Sequence, residues 1–532
     1  MNYLISVQKK NLTKNDFWRL IIRVAKLSKK PQPKDINPRN ELSQNLLQEL
    51  DSMNPWWKGN KSKEIYEGKR QIYNELFNSF FNGNYPIVTL RGPRQVGKTT
   101  IQQQIIRDLL EQKNSVSPKQ IIRIQFDDLK SLELEDPIVT IIDWFEKNVA
   151  GDTFNNLAHK GQKVYIFLDE IQDVAKWSAQ LKHIVDHKSC HVFITGSSAI
   201  RIFEGKENLA GRAQWNEINT LGLSEICQFH NMGTLNTYKT EFNLDVSCFC
   251  DKTFWIDFKN WSIDEQLLDE VYKIFCELGG YPFCHTNNIT EQQVNDYLSE
   301  TLIARTIDQD IKASFDAEYK NKMRSLSEDL IKKTFNTFCK YTGQTIGFNK
   351  LQQEFNSNLC GILNEKQISL ILDFVENSML IKIIKPFEHH LKLARNERKI
   401  CLCDHAIRKA RLNEPVDLYG KSVTSDIAGH IIKGIVGTFL VSIKNIGVSY
   451  LPNINNKRDE IDFILEIGDT HIPIEVKYRE HPDVNNGIES FLAKSSNNTS
   501  FGLVITKDEV PLGYFGNDNI IPISVKKLLL LK

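Results

Sequence analysis

The chain has 532 residues, of which 41% are hydrophobic and 25% charged, and its formal net charge is +1. That length predicts roughly three or four domains, and that composition is ordinary for soluble globular protein. Near-neutrality excludes a nucleic-acid-binding polycation, and the chain shows no internal repeat and no low-complexity tract.

Charge is uneven: residues 1–40 hold ten Lys or Arg against two Asp or Glu. They read as a solvated helix face or as an arm for an acidic partner. The N-terminus lacks the apolar core of a signal peptide. The longest apolar run, Ile435 to Ile443, is bracketed by Lys433 and Lys444 and is too short to span a bilayer. The ten cysteines include two C-x-C pairs, Cys248/Cys250 and Cys401/Cys403, without doubled C-x-x-C spacing. They read as small buried residues of a reducing compartment. The expectation is a cytoplasmic protein with no membrane partner.

In chain order, residues 13–29 predict an amphipathic helix with Phe17, Leu20, Ile21, Val24 and Leu27 on one stripe, ended by Pro31 and Pro33. A second short helix carries Leu42, Leu46, Leu47 and Leu50 on one face. Asn54-Pro55-Trp56-Trp57 then reads as an anchor onto a core, or as an element near a ligand. Residues 69–82 predict a helix with Ile72, Leu76, Phe77 and Phe80 or Phe81 inward.

Residues 87–200 alternate strand and helix. Ile87–Leu90, Ile121–Phe126, Val164–Leu168 and His191–Ile194 are apolar runs expected of strands buried on both faces. Alternating βα units predict a parallel sheet with right-handed crossovers and a ligand at the C-terminal strand edge. After the first strand stands Gly92-Pro93-Arg94-Gln95-Val96-Gly97-Lys98-Thr99, with Thr100 following, and then a helical stripe of Ile101, Ile105, Ile106, Leu109 and Leu110. This has the form G-x-x-x-x-G-K-[ST] of a phosphate-binding loop. Its successive N–H groups and the positive helix end would cradle phosphates. Lys98 would reach the β- and γ-phosphates, and Thr99 would hold Mg²⁺. Asp169 closes an apolar strand, where a carboxylate holds the metal, and Glu170 beside it would orient and deprotonate a water. Thr195, Ser197 and Ser198 form either a sensor of the γ-phosphate or a turn. Arg94, Arg201 and Arg212 are the candidate transition-state cations, or surface arginines.

Gly92 to Thr100, Phe167-Leu168-Asp169-Glu170-Ile171-Gln172 with Trp177, Thr195 to Ser198, Leu209-Ala210-Gly211-Arg212 and Gly279-Gly280-Tyr281-Pro282 occur in that order. The chain thereby resembles the bacterial and archaeal AAA-type ATPases with a C-terminal restriction-endonuclease-like domain, over roughly residues 65 to 530. The resemblance implies ATP as nucleotide, Lys98 and Thr99 on phosphate and Mg²⁺, Asp169 and Glu170 as metal and catalytic carboxylates, and Arg212 as finger or sensor.

Residues 264–312 read as helical, broken at Gly279-Gly280; Phe242 to Trp261 give no period. Residues 325–400 predict helices and then a hairpin of Met379–Lys385 with Leu391–Leu393. That order fits a winged helix, as the resemblance also implies. Such a module binds duplex DNA or packs on partners, and Lys382, Lys385, Lys392, Arg395 and Arg398 favour DNA. Farther on, Asp462 on one strand and Glu475-Val476-Lys477 on the next would place two carboxylates and a lysine at one metal edge. The text pattern is short, but it resembles the PD-(D/E)xK nuclease core. Lys433 stands where that family commonly has Glu, which puts cleavage in doubt. Glu480 and Lys507 are further polar candidates.

The expected fold is therefore α/β. A basic helical extension (1–64) precedes an AAA/ASCE-type P-loop parallel sheet (65–225). A helical lid or linker (226–320), a winged-helix-like domain (321–410) and a nuclease-like α/β domain (411–532) follow. The expected function is Mg²⁺-dependent ATP hydrolysis coupled to the C-terminal part, with DNA and a second copy of the chain as candidate partners. A nucleotide-dependent switch and an ATP-gated Mg²⁺ nuclease are the alternatives.

Overall fold

The computed structural model describes residues 42–60, 65–111, 116–127, 129, 134–196, 207–242, 245–286, 289–303, 306, 326, 328–358, 364–387, 397–420, 426–452, 460–483 and 487–532. The helix expected at 13–29, the Leu391–Leu393 strand, Ser197, Ser198, Arg201, Lys392 and Arg395 lie outside the described residues.

The N-terminal half is built on five parallel strands: β1 (Ile87–Arg91), β2 (Ile121–Gln125), β3 (Tyr165–Asp169), β4 (His191–Gly196) and β5 (Ala213–Glu217), in the order β2-β3-β4-β1-β5. The inner strands β1, β3 and β4 are buried almost throughout, which is why they read as continuous apolar runs. β5 escapes that signal because Ala-Gln-Trp-Asn-Glu is polar and, as an edge strand, only partly covered. Four helices position the site: α1 (Gln44–Met53), α2 (Tyr73–Asn82), α3 (Lys98–Glu111) and α4 (Trp177–His187). α2 buries Leu76 and Phe80 of the expected stripe together with Tyr73, while Ile72 and Phe77 are partly buried against the same core.

The described part of the extension packs against the first sheet. Leu42, Leu46 and Leu50 pack in the same core as Ile122, Ile124 and Leu168. β2 is an edge strand, with backbone groups open to pairing, and Asn54-Pro55-Trp56-Trp57 closes that edge with side chains. Asn54 Nδ2 donates to the Arg123 carbonyl at 2.9 Å, and the Arg123 N–H donates back to Asn54 Oδ1 at 2.6 Å. The indole N–H groups of Trp56 and Trp57 both donate to the Ile121 carbonyl, at 3.1 and 2.8 Å. Asn54→Ala would strand a buried N–H and carbonyl, at a cost of about 2 kcal/mol. A melting temperature several degrees below wild type is expected, whereas the wild-type value would contradict the edge-closing role.

In the second half, α5 (Leu223–Phe229), α6 (Lys252–Asn260) and α7 (Glu265–Leu278) pack against the C-terminal strands rather than over the first sheet. The aperiodic Phe242–Trp261 stretch contains α6, whose Trp255 is fully buried. Then come α8 (Glu328–Lys340), β6 (Thr345–Gly347), α9 (Phe348–Asn358), α10 (Glu365–Asn377), β7 (Ile381–Pro386), β8 (Glu397–Leu402), α11 (Asp426–Val441), β9 (Gly447–Leu451), β10 (Ile461–Ile467), β11 (Thr470–Lys477), β12 (Gly502–Thr506) and β13 (Ile520–Ser524). The hairpin partner of β7 is thus β8.

Strands from either side of residue 410 share a sheet. One eight-stranded sheet runs β13-β12-β11-β10-β9-β7-β8-β6. β9, β10 and β11 are antiparallel neighbours, β11, β12 and β13 run parallel, and a short parallel pairing of Lys385–Pro386 with Ser449–Tyr450 joins the two parts. α11 lies across this junction: Gly437 faces Cys401 Sγ and the Phe463 ring so closely that a Cβ there would sit 2.6 and 2.9 Å from them. Among the described residues, no helix is long and apolar enough to cross a membrane.

Candidate functional site

The loop between β1 and α3 lies at the C-terminal edge of the first sheet, and the sequence dictates its shape. Gly97 has φ +97°, a conformation that L side chains rarely adopt. A Cβ on Gly92 would meet the Ile218 carbonyl oxygen at 2.3 Å. Gln95 also has positive φ, at 62°, and Val96 is buried beneath the loop. Lys98 opens α3 with its ammonium folded into the loop, donating to the carbonyls of Gly92 at 3.0 Å and Pro93 at 2.8 Å. Pro93, Arg94 and Thr100 complete the stretch, with Arg94 and Thr100 half-buried.

Asp169 ends β3 directly beside this loop and is 1% exposed. Thr99 Oγ donates to Asp169 Oδ2 at 2.9 Å, and Thr195 Oγ donates to Oδ1. A hydroxyl and a carboxylate oxygen so placed are the hard donor set Mg²⁺ takes, so the residues fit that ion. Glu170 follows in left-handed backbone geometry, φ 49° and ψ 47°, and its carboxylate accepts from Gln172. A non-glycine residue there costs about 1–3 kcal/mol, and such strain concentrates at working sites. The turn aims the Glu170 carboxylate independently of Asp169.

Arg212 goes elsewhere. It precedes β5, and the register pairs Ile87 with Ala213, so it lies at the N-terminal sheet edge, about 16 Å of strand away from the loop. There it makes a two-pronged ion pair with Asp186, at 2.6 and 2.9 Å, at the sheet end opposite the site. Arg212, expected as a finger or sensor in cis or from a neighbouring subunit, thus lies away from the loop of its own chain. Of the three arginines, Arg94 is the one described at the loop.

Four residues around the site gave no signal in the sequence. Arg70 donates to the Val96 carbonyl at 2.7 Å, to the Asn219 carbonyl at 2.9 Å and to Glu225 at 2.7 and 3.0 Å, so a buried ion pair grips the loop from behind. Burial opposes the charge of Glu225, but Arg70 outweighs it and holds the carboxyl below its ordinary range. Arg123 reaches Asp169 from the other side, and Gln102 accepts from Arg123. These partners lie 21 to 155 residues apart, so no local spacing reveals them.

In the second sheet, Asp462, Glu475 and Lys477 do converge, and two more lysines join them. Asp462 Oδ1 accepts from Lys433 at 2.7 Å and from Lys399 of β8 at 3.2 Å, while Oδ2 accepts from the Val476 N–H at 3.0 Å. Lys477 lies 3.4 Å from Glu475. Burial disfavours the Asp462 carboxylate, but Lys433 and Lys399 hold it below its usual range. Burial and then the charge of Asp462 push Glu475 up to about 8. Two ammoniums and a backbone N–H take both oxygens of Asp462. Among the described residues no group of three or more His, Cys, Asp or Glu could hold a metal ion. Lys507 is tied to the Gly420 carbonyl at 2.8 Å, and Glu480 is exposed. Lys382 of β7 pairs with Glu217 at 2.6 Å, and Arg398 of β8 lies over the Phe348 ring.

Residues 84–227 match a family described as an AAA domain, and residues 270–417 match one described as a domain of unknown function. An uncharacterised protein of Methanocaldococcus jannaschii is 23% identical over 414 residues, covering 76% of this chain and 78% of its own length. Among solved structures, a Walker-type ATPase of Pyrococcus abyssi is 15% identical with a TM-score of 0.37, over 67% of this chain and 99% of its own.

Proposed function

Residues 84–227 being an AAA-type ATPase domain, we propose that the chain binds and hydrolyses ATP with Mg²⁺ and passes the nucleotide state to its C-terminal half. The observation that carries this is the pairing of Thr99 Oγ with Asp169 Oδ2 at the head of α3, with Glu170 next in the chain. The loop's N–H groups and the helix end bind the phosphates. Lys98 leaves the Gly92 and Pro93 carbonyls for the β- and γ-phosphate oxygens. Thr99 and Asp169 hold the ion, which neutralises charge on the phosphates when bound. Glu170, steadied by Gln172, orients the attacking water and takes its proton. Arg94, or an arginine from a second copy, balances the developing charge.

Output follows a short chain of contacts. Arg91, the residue before the loop, pairs with Glu217 at 2.9 Å, and Glu217 pairs with Lys382 on β7 at 2.6 Å. Glu217→Gln weakens both. ATP-dependent protection of β7 from hydrogen exchange is expected to fall in that variant, and unchanged protection would sever this route.

We propose that the C-terminal half, a winged-helix-like module continuous with a nuclease-like sheet, acts as a binding module without cleavage. The Lys433 and Lys399 ion pairs to Asp462 support this over an ATP-gated nuclease. Plasmid or linear DNA should stay intact with ATP and Mg²⁺ or Mn²⁺. Cleavage lost in Glu475→Ala and Lys477→Ala would reinstate the nuclease.

A further inference from the structure

The buried Asp169 carboxylate has a partner that the nucleotide site does not explain. Arg123, in the middle of the edge strand β2, sends its guanidinium under β3 toward the loop. Its Nη2 donates to Asp169 Oδ2 at 2.9 Å, the same oxygen that accepts from Thr99. Its Nε donates to Gln102 Oε1 on α3 at 2.9 Å, and Nη2 also meets Gln125 Oε1 at 2.6 Å. Arginine and aspartate are 6% and 1% exposed. A carboxylate so buried needs a cation or several donors beside it. Here the chain supplies the cation at the oxygen assigned to the ion.

The guanidinium is itself held on every side. Gln102 must present its oxygen to Nε, and its own Nε2 is buried without a hydrogen-bond partner, so the amide is oriented by Arg123 rather than by a bond of its own. The backbone of Arg123 is bracketed on both sides by Asn54. Thus the segment that closes the edge of β2 also fixes how far Arg123 reaches.

We propose that Arg123 is a positioning residue for Asp169: it balances the carboxylate's charge, holds it at the loop, and sets how strongly Mg²⁺ must compete to bind with nucleotide. This rests on the reading of the loop as a Mg²⁺-nucleotide site. A guanidinium on the metal-holding oxygen disfavours a second cation there, so its removal should tighten Mg²⁺ binding while loosening the empty protein. A purely structural arginine would do only the latter.

The test uses the full-length protein. A fluorescent ATP analogue is titrated with Mg²⁺, and melting is recorded with and without Mg²⁺ and nucleotide. For Arg123→Gln the expected results are a Mg²⁺ half-saturation about tenfold lower than wild type, a lower melting temperature when empty, and a larger rise on loading. Arg123→Lys keeps the charge and should stay within about twofold of the wild-type half-saturation. Asn54→Ala, which leaves the side-chain chemistry intact but frees the strand, should move half-saturation in the Arg123→Gln direction by less. If Arg123→Gln does not fold, Arg123→Gln with Asp169→Asn should, because it removes both buried charges; failure of that double variant as well would contradict the pairing. Equal half-saturation in wild type and Arg123→Gln overturns the proposal. A wild type with no Mg²⁺-dependent nucleotide binding overturns instead the reading beneath it, and the proposal with it.

Discussion

Glu170→Gln is expected to reduce ATP turnover by about 10²- to 10⁴-fold, the range that a positioned general base contributes, while leaving ATP binding near wild type. The geometry separates the two effects. Asp169 is fixed by Thr99 and Thr195, and the loop is fixed by Arg70 through Val96, so neither leans on the Glu170 carboxylate. Glutamine keeps the size and the hydrogen bond toward Gln172 but cannot accept a proton from water. Steady-state phosphate release and equilibrium binding of a fluorescent analogue, measured on the same preparation, check both halves. Lost binding would mean that Glu170 shapes the pocket rather than activating water. Unchanged turnover would move the base elsewhere.

The second large effect concerns stability. Asp462→Ala leaves Lys399, only 1% exposed, and the partly covered Lys433 without their carboxylate. Removing one partner of a buried ion pair costs about 3–5 kcal/mol. Because Lys399 comes from β8 and Asp462 from β10, the loss should be felt on both sides of the junction. Lys399→Met should cost less, since Lys433 still serves Asp462 and the methionine can pack against Phe463, whose ring lies 4.6 Å from the lysine nitrogen. An Asp462→Ala protein that melts like wild type would contradict the lock.

The same cluster sets a pH dependence with a definite sign. The folded chain raises the Glu475 pKa, so it binds that proton more tightly than the unfolded chain. The corresponding stability is fully present below the ordinary Glu value of about 4.3 and is lost as pH rises toward about 8. Asp462 is shifted downward, so its contribution is present throughout that window and is lost only in stronger acid. The melting temperature should therefore fall between pH 5 and pH 8 in wild type, and Glu475→Gln should flatten the slope. A slope unchanged in that variant would assign it to other groups.

What the sequence discloses here follows from the range of each interaction. The phosphate loop, the strand ending in Asp169 and the inner strands are local patterns: a spacing of glycines, an apolar run, a carboxylate at its end. They are legible without any fold. β5 is hidden because an edge strand needs no apolar run. Arg123 and Arg70 are hidden because their meaning lies in partners 46 and 155 residues away. The sequence pattern brought Asp462, Glu475 and Lys477 together but hid Lys399, which reaches Asp462 from a strand 63 residues upstream. Contacts across residues 64 and 410 are hidden for the same reason. Asn54 and Trp57 complete the edge of β2, and β7 joins β9, through contacts that composition does not record. Arg212 shows the converse: a residue in a familiar order of motifs whose strand places it at the wrong end of the sheet for its own nucleotide.

The central claim is that the Gly92–Thr99 loop and the Asp169–Glu170 pair form a working hydrolytic site. Its most direct test is release of inorganic phosphate from ATP by the full-length protein with Mg²⁺, against Lys98→Ala under the same conditions. Lys98 donates to the loop carbonyls of Gly92 and Pro93, and melting recorded on both proteins separates lost turnover from lost folding. Wild-type turnover that needs Mg²⁺ and falls by about 10²-fold or more in Lys98→Ala is the predicted result. Wild-type turnover equal to that of Lys98→Ala would contradict the account.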